Sequence, residues 1–149
     1  MSLEVINLVK TYDTQQAVDQ ISFVAPTGKI TGFLGPNGAG KSTTLKIATG
    51  FIRPTSGDIL VNDISVTHDP MRVKKTVGYL PEHNPLYLEM YVREYLDFIG
   101  KAYGMDRTSR HQRIHELLDL CGLTIEKHKK LKMLSKGYRQ RVGLAKALM

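Results

Sequence analysis

Gly35, Gly40, Lys41 and Ser42 stand at the spacing G-x-x-x-x-G-K-[ST], and no other stretch of the chain restricts its fold so strongly. The apolar run Ile30 to Leu34 before the motif predicts a strand, and the residues after it predict a helix that begins near Gly40. Strand, glycine-rich loop and helix form the context that a phosphate-binding loop requires. Gly35, Gly38 and Gly40 lack a β-carbon, so the backbone can adopt positive φ and bring its N–H groups against phosphate oxygens. The helix start aims unpaired N–H groups and a positive dipole end at the same anion. Lys41 adds a full positive charge toward the β- and γ-phosphates, and the Ser42 hydroxyl is a candidate Mg²⁺ ligand. A glycine-rich turn of purely structural use is the competing reading, and the flanking elements argue against it.

A chain of 149 residues is long enough for one domain with a real core, and 42% hydrophobic with 23% charged residues is ordinary for a globular protein. No run of 18 apolar residues occurs, and Glu4, Asn7 and Lys10 interrupt the opening, so neither a membrane span nor a signal peptide is expected. Any membrane role must then come through a partner. The single Cys121 cannot form an internal disulfide, and its place after Leu117, Leu118 and Leu120 predicts a small buried hydrophobe. The net charge of +7 is local in origin: Lys127 to Met149 holds eight Lys or Arg and no Asp or Glu. Such a run is a solvated face or a surface close to phosphate or anionic lipid.

Leu3 to Val9 and Ile21 to Ala25 read as strands separated by a polar turn around Asp13, Thr14, Gln15 and Gln16, an antiparallel β-rich start. Asp58 to Asn62 and Thr76 to Leu80 read as further strands, the second ended by Pro81. Beyond Pro85 the period changes from 2 to 3.6. Val92, Tyr95, Leu96, Ile99, Ala102 and Tyr103 form one apolar helical stripe that Gly104 can terminate, and Ile114, Leu117, Leu118 and Cys121 form another before Gly122. His111 and His115 share a spacing seen in zinc sites, but no further ligand lies nearby in sequence, and surface histidines are the expectation.

The second informative stretch is Leu134-Ser135-Lys136-Gly137-Tyr138-Arg139-Gln140-Arg141. Ser135 is a candidate N-cap before a helix-prone, partly apolar segment, and a Ser and a Gly at a helix start make a second anion site. Taken with the phosphate loop, the chain resembles the nucleotide-binding subunits of ATP-binding cassette (ABC) transporters over all 149 residues. Tyr12 looks like the aromatic that stacks on adenine, and Gly35, Pro36, Asn37, Gly38, Ala39, Gly40, Lys41, Ser42 and Thr43 like the Walker A loop. Tyr79-Leu80-Pro81-Glu82 looks like the Q-loop, and Leu134, Ser135, Lys136, Gly137 and Gln140 like the family signature that contacts ATP in trans. Within the family, residues 81 to 87 are similar to export-type and gliding-motility-associated bacterial cassettes.

The resemblance implies an α/β fold, a P-loop NTPase core with an antiparallel β N-terminal part and an α-helical subdomain, its C-terminal core strands missing. Residues 1 to 85 are expected to form the strand-rich ATP-binding core, 86 to 134 the helical subdomain, and 135 to 149 the signature and the start of its helix. It further implies a head-to-tail dimer, as a homodimer or a paired cassette, with ATP and Mg²⁺ between Lys41, Ser42 and Thr43 of one subunit and Ser135 and Gly137 of the other. Closure and reopening then drive a transmembrane subunit, with the cassette cytoplasmic and peripheral on the inner face of the cell membrane. Lys41 and Glu82 are the implied catalytic residues, and Ser42 and Glu82 the Mg²⁺ ligands. The family usually has Gln where this chain has Glu82. Its carboxylate can meet Mg²⁺ directly or through water, while the added charge alters metal affinity or the positioning of the attacking water.

A second departure from the family is larger. The chain stops at Met149, inside the signature helix, before the Walker B Asp and Glu, the D-loop and the switch His. The 149 residues are therefore expected to bind ATP without appreciable turnover, while the parent protein hydrolyses it. The cluster Pro85, Leu86, Tyr87, Leu88, Met90 and Tyr91 is either core packing or part of a groove for a cytoplasmic helix of the transmembrane subunit. Two other functions compete: a soluble ABC ATPase acting on ribosomes or nucleic acid, and a nucleotide-binding or assembly module without catalysis. The compact single-cassette beginning favours the transporter subunit, with no direct nucleic-acid contact expected.

Overall fold

Strand β1 (Leu3–Tyr12) is the spine of an antiparallel sheet in the computed structural model, which describes residues 2 to 149. It pairs along one edge with β2 (Gln15–Ala25), from Leu3 opposite Ala25 to Tyr12 opposite Gln15, so the polar turn closes as a two-residue hairpin at Asp13 and Thr14. Along the other edge it pairs with β3 (Ser56–Val61), which hairpins into the short β4 (Ile64–Ser65) to give the order β2-β1-β3-β4. Strict alternation breaks in β1, where Val5 and Leu8 are both buried although three residues apart. Asn7 between them is left-handed, at φ 44°, and the pairing shifts register there. The bulge is held by a reciprocal pair: the Asn7 N–H donates to Ser22 Oγ at 2.8 Å and the Ser22 hydroxyl donates to Asn7 Oδ1 at 3.1 Å.

Helix α1 (Lys41–Ala48) lays Thr44, Ile47 and Ala48 on this sheet, among Val5, Leu8, Val18, Ile59 and Val61. Each fully buried branched side chain of such a core contributes about 1.5–3 kcal/mol. Helix α2 (Pro70–Lys74) is one that the apolar period does not announce. Its signal is at the N-terminus instead, where Asp69 accepts from the Arg72 N–H at 3.0 Å and Pro70 occupies the first turn, where no N–H is missed. These elements make one compact unit, Met1–Val77.

The second compact unit, Gly78–Met149, is helical. Helix α3 (Val92–Ala102) and helix α4 (Arg107–Leu120) follow the two apolar stripes, and each is stopped by a left-handed glycine nearby, Gly104 and Gly122. Helix α5 (Lys136–Ala147) completes a core in which Tyr95, Leu96, Ile114, Leu117, Leu123, Leu131, Val142 and Ala145 are buried. Cys121 lies in that core, and burial pushes its thiol up despite the nearby Arg141 cation. Arg110 is buried as well: Nε meets Asp97 Oδ1 at 2.7 Å and Nη1 donates to the Met105 carbonyl at 2.8 Å. His111 and His115 are exposed and stand beside Asp97 and Asp119.

Two expected strands do not form. Ile30 to Leu34 has no ladder partner, and Ile30 and Leu34 are almost fully exposed, while Phe33 stacks on Phe23 at 5.1 Å. A strand requires a neighbour for its N–H and C=O groups, and the β2-β1-β3-β4 sheet of the described residues does not include this segment. Thr76 to Leu80 is likewise irregular. Gly78 lies so close to the Ala147 carbonyl that a β-carbon would overlap it, so a helix, not a strand, is this segment's neighbour.

Candidate functional site

Gly40 sets the geometry of the phosphate loop. It is the N-cap of α1 with φ 78°, and a β-carbon there would run into the Ala17 carbonyl oxygen of β2. Only glycine tolerates both the left-handed turn and that approach. The contact presses the start of α1 onto the hairpin, and Thr44 seals it by donating both its N–H, at 2.8 Å, and its hydroxyl, at 3.0 Å, to the Gly40 carbonyl. Since Thr44 is the first to donate inside the helix, the N–H groups of Lys41, Ser42 and Thr43 precede any intrahelical acceptor. They open toward the loop, where Gly35, Pro36, Asn37, Gly38 and Ala39 are all exposed and a β-carbon on Gly38 would meet nothing within 4 Å.

Lys41 is drawn back over the loop. Its Nζ donates to the Gly35 carbonyl at 2.7 Å and to the Pro36 carbonyl at 2.6 Å. An ammonium has three donors, so one remains for an anion in the loop. Unpaired N–H groups, a positive helix end and a fixed ammonium around open space fit a polyphosphate, and the exposed Ser42 hydroxyl beside them fits an oxygen-preferring cation such as Mg²⁺. Tyr12 ends β1 on the same hairpin that touches Gly40. Its ring is exposed, with Lys10 Nζ 4.9 Å from its centroid, which leaves the opposite ring face for a planar ligand.

In the second unit, Ser135 caps α5, its Oγ accepting from the Tyr138 N–H at 3.4 Å. Lys136 and Gly137 in the first turn are exposed. The other two signature residues face their own chain: Leu134 is buried in the helical core, and Gln140 donates through Nε2 to the Glu82 carbonyl at 2.9 Å. The Glu82 side chain itself is exposed. Sequence reasoning passed over Asn84, which donates to the Arg139 carbonyl at 3.0 Å, and the Gly143 that makes room for it. The one available signal was a small residue inside a helix, which has several other uses.

The apolar cluster after Glu82 is divided by the fold. Leu86 and Met90 pack against the helical core, while Tyr87, Leu88 and Tyr91 are exposed together with Phe98, Tyr87 meeting Phe98 edge to face at 5.5 Å. Three of the eight cations in the basic run are ion-paired: Lys129 with Glu126 at 2.9 Å, and Lys130 and Lys132 with Glu89 at 3.5 and 2.9 Å. No helix among the described residues is long and apolar enough to cross a membrane.

Residues 18–149 match the family model described as ABC transporter. The chain is 35% identical over 147 residues to the uncharacterized ABC transporter ATP-binding protein YxlF of Bacillus subtilis, covering 99% of this chain and 48% of that protein. It is also 35% identical over 147 residues to the linearmycin resistance ATP-binding protein LnrL of the same organism, covering 99% of this chain and 47% of the relative. The chain thus spans about half the length of these relatives. A solved dimeric ATP-binding cassette in a post-hydrolysis state, bound to ADP and Pi, superposes with a TM-score of 0.83 at 26% identity, over 98% of this chain and 68% of that one.

Proposed function

From the premise that this chain belongs to the ABC transporter family, we propose that it is part of a cassette that binds ATP with Mg²⁺ and couples its hydrolysis to a transmembrane partner. One observation carries the reading: the left-handed Gly40 pressed on Ala17 turns the free N–H groups of Lys41, Ser42 and Thr43 and the tethered Lys41 ammonium into one open anion cradle. Bound Mg²⁺ would neutralise phosphate charge and orient the triphosphate. Ser42 and Glu82 are the proposed ligands, Gly35 to Thr43 the phosphate contacts, and Tyr12 the platform for adenine.

Ser135, Lys136 and Gly137 present a second helix N-terminus, which in this reading contacts the ATP held by another subunit. The dimeric relative bound to ADP and Pi supports that arrangement. In this reading the exposed Tyr87, Leu88, Tyr91 and Phe98 form an apolar face for a transmembrane subunit, and the cassette is cytoplasmic and peripheral on the inner face of the membrane. The internal pairing of Lys129, Lys130 and Lys132 weighs against nucleic acid as a partner. The 149 residues by themselves are proposed to bind ATP without appreciable turnover.

Titration with a fluorescent ATP analogue tests the proposal. Lys41→Ala removes the ammonium and is expected to weaken binding by tenfold or more, at least about 1.4 kcal/mol, while a cooperative melting transition is retained. Unchanged affinity would refute the assignment of this loop to ATP.

A further inference from the structure

The second unit ties two functional segments together through side-chain amides. Gln140 Nε2 donates to the Glu82 carbonyl at 2.9 Å, and Asn84 Nδ2 donates to the Arg139 carbonyl at 3.0 Å. The bonds run in opposite directions, so residues 82 to 84 are fastened to the helix at two adjacent points. Arg139 extends the tie to the turn before the signature, where Nε donates to the Leu131 carbonyl at 3.2 Å and Nη2 to the Lys132 carbonyl at 2.8 Å.

The fit depends on Gly143, where a β-carbon would overlap the Asn84 amide and Leu80 Cδ1. Asn84 Oδ1 and Gln140 Oε1 are both buried and accept no hydrogen bond from the described residues. Burying an acceptor without a donor is a cost that apolar side chains of similar volume would avoid. Space filling therefore does not account for two amides here, whereas holding a backbone segment in place does.

We propose that Asn84 and Gln140 are positioning residues that clip the Glu82 backbone to α5, so that the Glu82 carboxylate and the helix start at Ser135 keep a set spacing. Gln140 lies five positions after Ser135, about 7.5 Å along the axis, so the clip acts within two turns of the N-cap. The inference rests on the reading of Glu82 as a Mg²⁺ ligand. In this role the Gln140 and Asn84 amides act through Glu82, without contact to nucleotide.

Hydrogen exchange of the nucleotide-free full-length protein, and the Mg²⁺ dependence of fluorescent ATP-analogue binding, test the clip. Asn84→Leu and Gln140→Met are each expected to speed amide exchange in residues 80 to 86 about fivefold, the loss of one neutral hydrogen bond. Each is also expected to raise the Mg²⁺ concentration for half-maximal binding about threefold to fivefold. In a Glu82→Ala background, which keeps the carbonyl, the same substitutions should leave the Mg²⁺ dependence unchanged, because a residue acting through Glu82 cannot add to its removal. A Mg²⁺ shift that persists in Glu82→Ala overturns the proposal, as does faster exchange with no Mg²⁺ shift, which marks a purely structural tie. Normal exchange in both variants also overturns it. Two separate substitutions guard against one that fails to fold. Failure of the wild-type protein to bind the analogue at any Mg²⁺ concentration would remove the ATP reading itself, a result distinct from normal binding with an inert clip.

Discussion

Gly40 lies so close to the carbonyl oxygen of Ala17 that an added β-carbon would overlap it, so the phosphate loop takes its shape from a hairpin more than twenty residues earlier in the chain. Gly40→Ala adds a β-carbon at φ 78° and into that oxygen. Left-handed strain of about 1–2 kcal/mol and overpacking of about 1–3 kcal/mol predict a total loss of about 2–5 kcal/mol. ATP-analogue affinity should fall at least tenfold. Gly38→Ala is the control, since Gly38 at φ 85° has open space around it and should lose only the strain term. Urea unfolding of both variants checks the difference, and equal losses would contradict the contact.

Asp58 predicts a pH dependence of stability. Burial pushes its carboxyl up, but hydrogen bonds from the Ser65 and Thr67 hydroxyls and the Ile59 and Thr67 N–H groups together hold it below the usual carboxylate range. A folded-state pKa below the unfolded one stabilises above the unfolded value of about 3.9 and loses that contribution as pH falls through the folded value. Wild-type stability should therefore decline below about pH 4, and the Asp58→Asn variant should start lower near pH 7 and show a shallower acid decline. Thermal melts across pH 2.5 to 7 read both effects.

Arg110 reaches Asp97 and the Met105 carbonyl from a buried position over Gly100, whose added β-carbon would meet the Arg110 stem at 2.7 Å. Arg110→Ala leaves a cavity and an unpaired carbonyl, although Asp97 keeps Lys101 at 2.7 Å. A loss of about 2–4 kcal/mol is expected in urea unfolding. Arg110→Lys should recover less than half of it, since an ammonium cannot donate along both directions of the guanidinium fork.

Leu88 is 42% exposed and sits beside the Tyr87–Phe98 pair. Leu88→Arg in the full-length protein should leave ATP-analogue affinity and melting temperature within error while abolishing co-sedimentation with membranes that hold the transmembrane partner. Unchanged co-sedimentation would end the assignment of this face to the partner.

Several features needed no tertiary information. The Gly35-to-Ser42 spacing, the Ser135 cap and the apolar stripes of α3 and α4 depend on bonds within a few residues or on one face of one helix, and all are written locally. Asp69 and Pro70 marked α2 in the same way and could have been read. What tertiary structure decided were the non-local matters. Ile30 to Leu34 has strand composition but no ladder, because β-pairing requires a second segment at the right edge. Leu8 faces the core in place of its neighbour because the Asn7 bulge shifts the register against β2. The loop glycines were legible as permissive residues, but only the approach of Ala17 shows why position 40 admits nothing else. Gln140 reads in sequence as part of an anion-binding signature, and the packing of residues 78 to 84 on Gly143 and Ala147 turns its amide inward to Glu82. Short-range patterns specify which groups a segment carries; the partners that satisfy them are set by which distant segments come to lie alongside.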